Sequence, residues 1–244
     1  MAGTLKILAV DTDVRTLFSV ALGLTSNVKG VHFDGYYFWV VDTARIYQVL
    51  VEGANAFICR VVDISSTLPG TSPEITGLCG NEHYLWIAYK HTTNSYEVAQ
   101  YTLDGNRVFL LPGFTRSSAA GTEWFDLCMI GEHYIFSERD AGPAASDEET
   151  IMCEITTGLQ VRTTTNRNRM IGMDVDGYNL WKIGNDGKLL VQDFQKYGTL
   201  FAPAAIISTA TEGLKIMNRD CDGRRDFGHK FYSGEGHLLA LVHN

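Results

Sequence analysis

A chain of 244 residues with 45% hydrophobic, 20% charged and 11% aromatic content is globular in composition. It is long enough to bury a sizeable core without metals or disulfides. Twenty basic against 28 acidic residues give a formal charge of -8, which disfavours nucleic acid or an anionic membrane surface as the main partner. The opening MAGTLKILAV holds only a four-residue apolar run, and no stretch approaches the ~18 apolar residues of a membrane-spanning helix. A soluble protein made in the cytoplasm, without a signal peptide, is expected.

Two strands are predicted first, LKILAV from Leu5 and RTLFSVAL from Arg15, joined at Asp11-Thr12-Asp13. One pattern then recurs five times: a short apolar strand, a two-residue turn, Tyr or His, and a second apolar strand. The copies are GVHFDGYYFWV from Gly30, GLCGNEHYLWI from Gly77, LCMIGEHYIFS from Leu127, GMDVDGYNLWK from Gly172 and FYSGEGHLLAL from Phe231. The Tyr or His falls at Tyr36, His83, His133, Tyr178 and His237, at spacings of 47, 50, 45 and 59.

The turn pairs before it are Asp34-Gly35, Asn81-Glu82, Gly131-Glu132, Asp176-Gly177 and Glu235-Gly236. Asp-Gly suits a tight hairpin because Gly accepts positive φ and Asp tolerates it. Three positions later stand Trp39, Trp86, Phe136, Trp181 and Ala240, which predicts a shared packing site between neighbouring units. Further β-branched and aromatic runs complete each unit, among them RIYQVLV, AFICRVV, YEVAQYTL, RVFLL and KLLVQDF. Helical periodicity of useful length is absent.

Four strands and three turns occupy about 40–50 residues, which matches the observed repeat. The chain resembles the β-propeller superfold, all-β and five-bladed, over essentially its whole length. The blades fall near residues 30–76, 77–124, 125–170, 171–227 and 228–244. The last is completed by residues 1–29, because its first two strands, near Lys230–Ser233 and His237–Val242, lack partners. This closure would also cover strand edges. No WD dipeptide in register and no double-glycine kelch pattern is present.

The resemblance implies that the first strand of each blade lies nearest the axis. Gly30, Gly77 and Gly172 share one register there and would allow close backbone approach. His32, Cys79, Asp126, Asp174 and Lys230 lie on or beside these strands. Of these, His32, Asp126, Asp174 and Lys230 are the candidate binding residues at a channel mouth.

Other chemistry is thinly signalled. Five-bladed glycoside hydrolases place carboxylates on inner strands, and Asp126 and Asp174 are close to that position. The hydrolase motif WMNDPNG is absent, and the turn acids Asp34 and Asp176 are explained by hairpin geometry. His83, His133 and His237 alternate with Tyr at their repeat position, which predicts a structural ring with a polar tip and no metal ligand. The loop from Asp220 fails the calcium pattern, since Arg224 and Phe231 stand where oxygen ligands belong. The five cysteines, Cys59, Cys79, Cys128, Cys153 and Cys221, form no CxxC pair and read as buried thiols.

Three segments read as loops beyond what a blade needs: Glu138–Thr150, Arg162–Arg169 and Ser208–Gly228. The expected function is a non-catalytic protein-binding or assembly module with no cofactor and no metal. By analogy it resembles propeller components of tailed-bacteriophage virions, in a tail or hub, where it would meet other proteins in a symmetric assembly. A carbohydrate-binding lectin and a five-bladed glycoside hydrolase are the alternatives. Glycan therefore stands as an alternative partner, and neither nucleic acid nor membrane insertion is expected.

Overall fold

The computed structural model describes residues 2–10, 14–24, 26–53, 55–68, 73–92, 95–110, 123–139, 148–166, 170–175, 179–184, 188–193, 199–201, 211–217 and 237–243. The chain is all-β, with four-stranded antiparallel sheets in a propeller-like arrangement. The first sheet holds β3 (Gly30–Phe33), β4 (Phe38–Val41), β5 (Arg45–Glu52) and β6 (Asn55–Asp63) in sequence order. The second holds β7 (Glu74–Gly80), β8 (Tyr84–Thr92), β9 (Ser95–Thr102) and β10 (Arg107–Leu110). The third holds β11 (Glu123–Ile130), β12 (His133–Arg139), β13 (Glu148–Glu154) and β14 (Gln160–Asn166). The fourth holds β15 (Met170–Val175), β16 (Asn179–Gly184), β17 (Leu189–Asp193) and β18 (Thr199–Phe201). A fifth sheet has the order β19 (Thr211–Met217), β20 (His237–His243), β1 (Ala2–Val10), β2 (Val14–Leu24).

First strands of successive sheets touch: β3 meets β7, β7 meets β11, β11 meets β15, β15 meets β19, and β19 meets β3. The core lies between sheets. Trp39 shares an apolar cluster with Leu78 and Leu85, Trp86 with Leu127 and Tyr134, and Trp181 with Leu8 and Leu214. Leu5 and Ile7 of β1 pack with Val31, Phe38 and Val40 of the first sheet. Strands that face neighbours on both sides read as continuous apolar runs, so β4 is buried at every position, whereas the rim strand β6 is exposed almost throughout.

Several expectations need correction. The first strand of the last unit is Thr211–Met217, not Lys230–Ser233, so the boundary at 227/228 cuts through that unit. Its connection to β20 runs through residues 218–236, far longer than the assumed two-residue turn. The third hairpin slips as well. Ile135, which packs with Met173 and Leu180 of the next sheet, holds the place of Trp39, Trp86 and Trp181, and Phe136 does not. The reason is where the turn is centred: Ile130 faces His133 across Gly131-Glu132, as Asp34 faces Tyr37 and Asn81 faces Tyr84 across two residues, so His133 stands in the place of Tyr37 and Tyr84 and not of Tyr36 and His83.

All three expected loops are partly strand: Ser208–Gly228 contains β19, Thr211–Met217. Glu138, Arg139 and residues 148–150 pair across β12 and β13, and β14 takes in most of 162–169. Cys59 is exposed on β6, while Cys79, Cys128 and Cys153 are buried. Cys221, the calcium-like loop from Asp220 and the 176–178 turn lie outside the described residues.

Candidate functional site

The axial strands are built for close approach. A Cβ added to Gly30 would lie 2.7 Å from the Leu78 amide nitrogen, and one on Gly77 would lie 2.6 Å from the Asp126 Cα. One on Gly172 would lie 3.0 Å from the Leu214 nitrogen. Only glycine tolerates such contact with a neighbouring backbone. The fifth sheet carries Gly213 in the same place, paired with Val242 after a bulge, as Gly77 pairs with Ala88 and Gly172 with Ile183.

In the third sheet this place belongs to Asp126, the extra residue of the bulge between Phe125 and Leu127. The Asp126 carboxyl group is buried, and its Oδ2 accepts from the amides of Met173 at 2.8 Å and Leu214 at 3.4 Å. It therefore ties β11 to β15 and β19. Burial drives the Asp126 pKa well above the ordinary carboxylate value, and the charge of Asp174 acts in the same direction. The amides of Met173, Leu127 and Leu214 oppose that rise.

His32 and Asp174 share a register position, opposite Trp39 and Trp181 respectively. Both are buried, at 2% and 4% exposure, so neither opens onto solvent as a channel-mouth residue would. The His32 ring lies near Gly80, where an added Cβ would come within 2.8 Å of Cδ2. Asp126 and Asp174 are brought within electrostatic reach of each other. Lys230 lies outside the described residues; the fifth-sheet position in register with His32 and Asp174 is Lys215, opposite Ala240.

Sequence reasoning passed over Lys182. It pairs with Met173 at a position held by Val40 in the first sheet and Ile87 in the second. Lys182 is fully buried, with Nζ 3.4 Å from Thr150 Oγ1 on the third sheet. Burial lowers its pKa to about 7, while the nearby Cys128 thiol acts in the opposite direction. The available signal was the repeat itself, since a lysine interrupts an apolar column.

The hairpin tips are the exposed counterpart. Glycine meets equivalent backbone from sheet to sheet, so the inner strands run in one sense and the described tips, at 34–37, 81–84 and 131–132, lie at one end of the axis. Asp34 Oδ1 accepts from the amides of Tyr36 and Tyr37 at 2.8 and 2.7 Å, and its Oδ2 accepts from Trp39 Nε1 at 2.8 Å. Asn81 Oδ1 accepts from the amides of His83 and Tyr84, both at 2.8 Å. These side chains shape the turns, as the hairpin reading of Asp34 requires. The rings that follow face outward: Tyr36 is 37% exposed, and the His83 side chain is 69% exposed beside Glu82 at 3.3 Å. Each has an edge-on contact with the next residue, Tyr36 with Tyr37 and His83 with Tyr84. The structural role expected for this repeat position is not what Tyr36 and His83 display.

No protein-family model matches the chain, and no curated protein matches it in sequence. Solved structures do. A chain of the nidogen/laminin complex aligns with TM-score 0.52 at 9% identity, covering 83% of this chain and 94% of that one. Glutaminyl cyclase of Myxococcus xanthus aligns with TM-score 0.57 at 12% identity, covering 88% and 89%. At these identities the likeness shows the fold alone, a β-propeller arrangement of four-stranded sheets.

Proposed function

We propose that the chain is a five-bladed ring, closed where β1 enters between β20 and β2, and that it works as a non-catalytic protein-binding or assembly module. Closure is supported by the register of Leu5 with Val242 and Ile7 with Ala240, and by contact of β19 with β3. The binding role rests on one observation: aromatic side chains stand exposed at the first two hairpin tips, Tyr36 at 37% and the His83 side chain at 69%. Exposed aromatic groups on a rigid frame are the usual anchors of protein interfaces. The turn residues differ between sheets, Gly35-Tyr36, Glu82-His83 and Gly131-Glu132, which counts against the one-site-per-blade lectin reading. Asp126 spends Oδ2 on backbone amides and Asp34 spends both oxygens on its own turn, which counts against a hydrolase built on these carboxylates.

The partner in this reading is another protein, in an assembly such as a phage tail or hub. That setting rests on architectural analogy and is tested by asking whether tail, portal or capsid proteins co-purify. The interface is tested with a Tyr36→Ala/His83→Ala double variant. Binding to the co-purifying protein should fall at least about tenfold while the melting temperature stays unchanged. Unaltered binding would discard the hairpin-tip surface.

A further inference from the structure

The glycine register and Asp126 together describe a site of a different kind. At Gly30, Gly77 and Gly172 the bare backbone sits against the strand of the next sheet. At Asp126 a carboxyl group stands in that register, on the amides of Met173 and Leu214, with the amide of its own neighbour Leu127 pulling alongside. The two longer-range donors come from two further sheets, so the polar group that meets them must sit near the axis. Buried amides without acceptors are costly, and convergent amides are a general device for recognising anions and carboxyl groups.

We propose that the amides of Leu127, Met173 and Leu214 form an axial carboxyl-binding pocket, which the chain fills with its own Asp126 side chain. The pocket exists because three strands approach closely, and its tethered occupant holds them in register. The external ligand class it would take, were the tether removed, is a small carboxylate such as formate or acetate. The site faces inward and is independent of the hairpin-tip reading, so the failure of one leaves the other standing.

The test is chemical rescue of Asp126→Gly in the full chain. This substitution gives the third sheet the residue found in its sisters and removes a group the size of acetate. The melting temperature should fall by roughly 5–15 °C through loss of two or three acceptors at buried amides. Formate or acetate should restore most of that loss along a saturable titration, while chloride at equal ionic strength should not. The wild type should gain nothing from either carboxylate. If the variant fails to fold in buffer, recovery of folding in formate is the same positive result. Asp126→Asn, which keeps an acceptor in place, should lose less stability and should not respond to formate. No rescue of Asp126→Gly in either folded or refolding form, or rescue equal to that by chloride, would overturn the proposal.

Discussion

The inner strands and the hairpin tips that continue them repeat for opposite reasons. Along the inner strands the repeated residue is glycine, and Gly30, Gly77 and Gly172 are each accounted for by a backbone 2.6 to 3.0 Å from where a Cβ would stand. At the first two tips the corresponding residue is a ring, and Tyr36 and His83 are both exposed. A repeat explained by packing carries architecture, whereas a repeat facing solvent invites a partner. The difference also locates the exceptions: Asp126 and Lys182 are polar groups inside columns that are otherwise glycine or apolar.

Substitutions can break or sharpen this contrast. The largest interior effect is expected at Trp39, which is 1% exposed and whose indole donates to Asp34. Trp39→Ala should lower stability by about 4 kcal/mol, read by denaturant unfolding. Gly77→Ala forces a Cβ onto the Asp126 backbone and should cost about 3 kcal/mol, again by unfolding midpoint. A neutral result at Gly77 would break the packing half of the comparison.

Lys182→Met should act in the other direction. It restores an apolar side chain to a position where Val40 and Ile87 stand in sister sheets, and should gain about 2 kcal/mol near neutral pH. The folded value of about 7 lies below the ordinary lysine value of 10.5, so the unfolded chain binds more protons between them. The wild type should therefore gain stability from this residue as pH rises from about 7 towards 10.5. Lys182→Met should flatten that rise, which a series of unfolding curves across the window would reveal. The smallest interior effects are expected at the tips: Tyr36→Ala and His83→Ala should each change stability by less than about 0.5 kcal/mol.

Much of the fold could be read from residues because its constraint is periodic. Glycines, turn residues and tryptophans recur at blade-length intervals, and each has a steric cause. What escaped reading lacked that periodicity. The third turn, Gly131-Glu132, corresponds to Gly35-Tyr36 and Glu82-His83, so matching His133 with Tyr36 and His83 put Phe136 in the place of Ile135. The last unit begins with GLKIM from Gly213, which resembles GMDVD from Gly172, but the 218–236 connection separates it from its hairpin partner. The RTTTN run of β14 is polar because an outer strand need not bury its side chains, so no alternation announced it. At the axis, Asp126 was recognisable as an inner-strand carboxyl, but its use on amides of two other sheets depends on contacts 47 and 88 residues away in sequence.

The most direct measurement of the central claim is site-specific photo-crosslinking in the assembled complex. A photoreactive residue is placed in turn at positions 36 and 83 on the tips, and at 57 and 108 on the rim, where Phe57 and Val108 are also exposed. The account predicts adducts to the partner from 36 and 83 and none from 57 and 108. Adducts confined to the rim positions would contradict it.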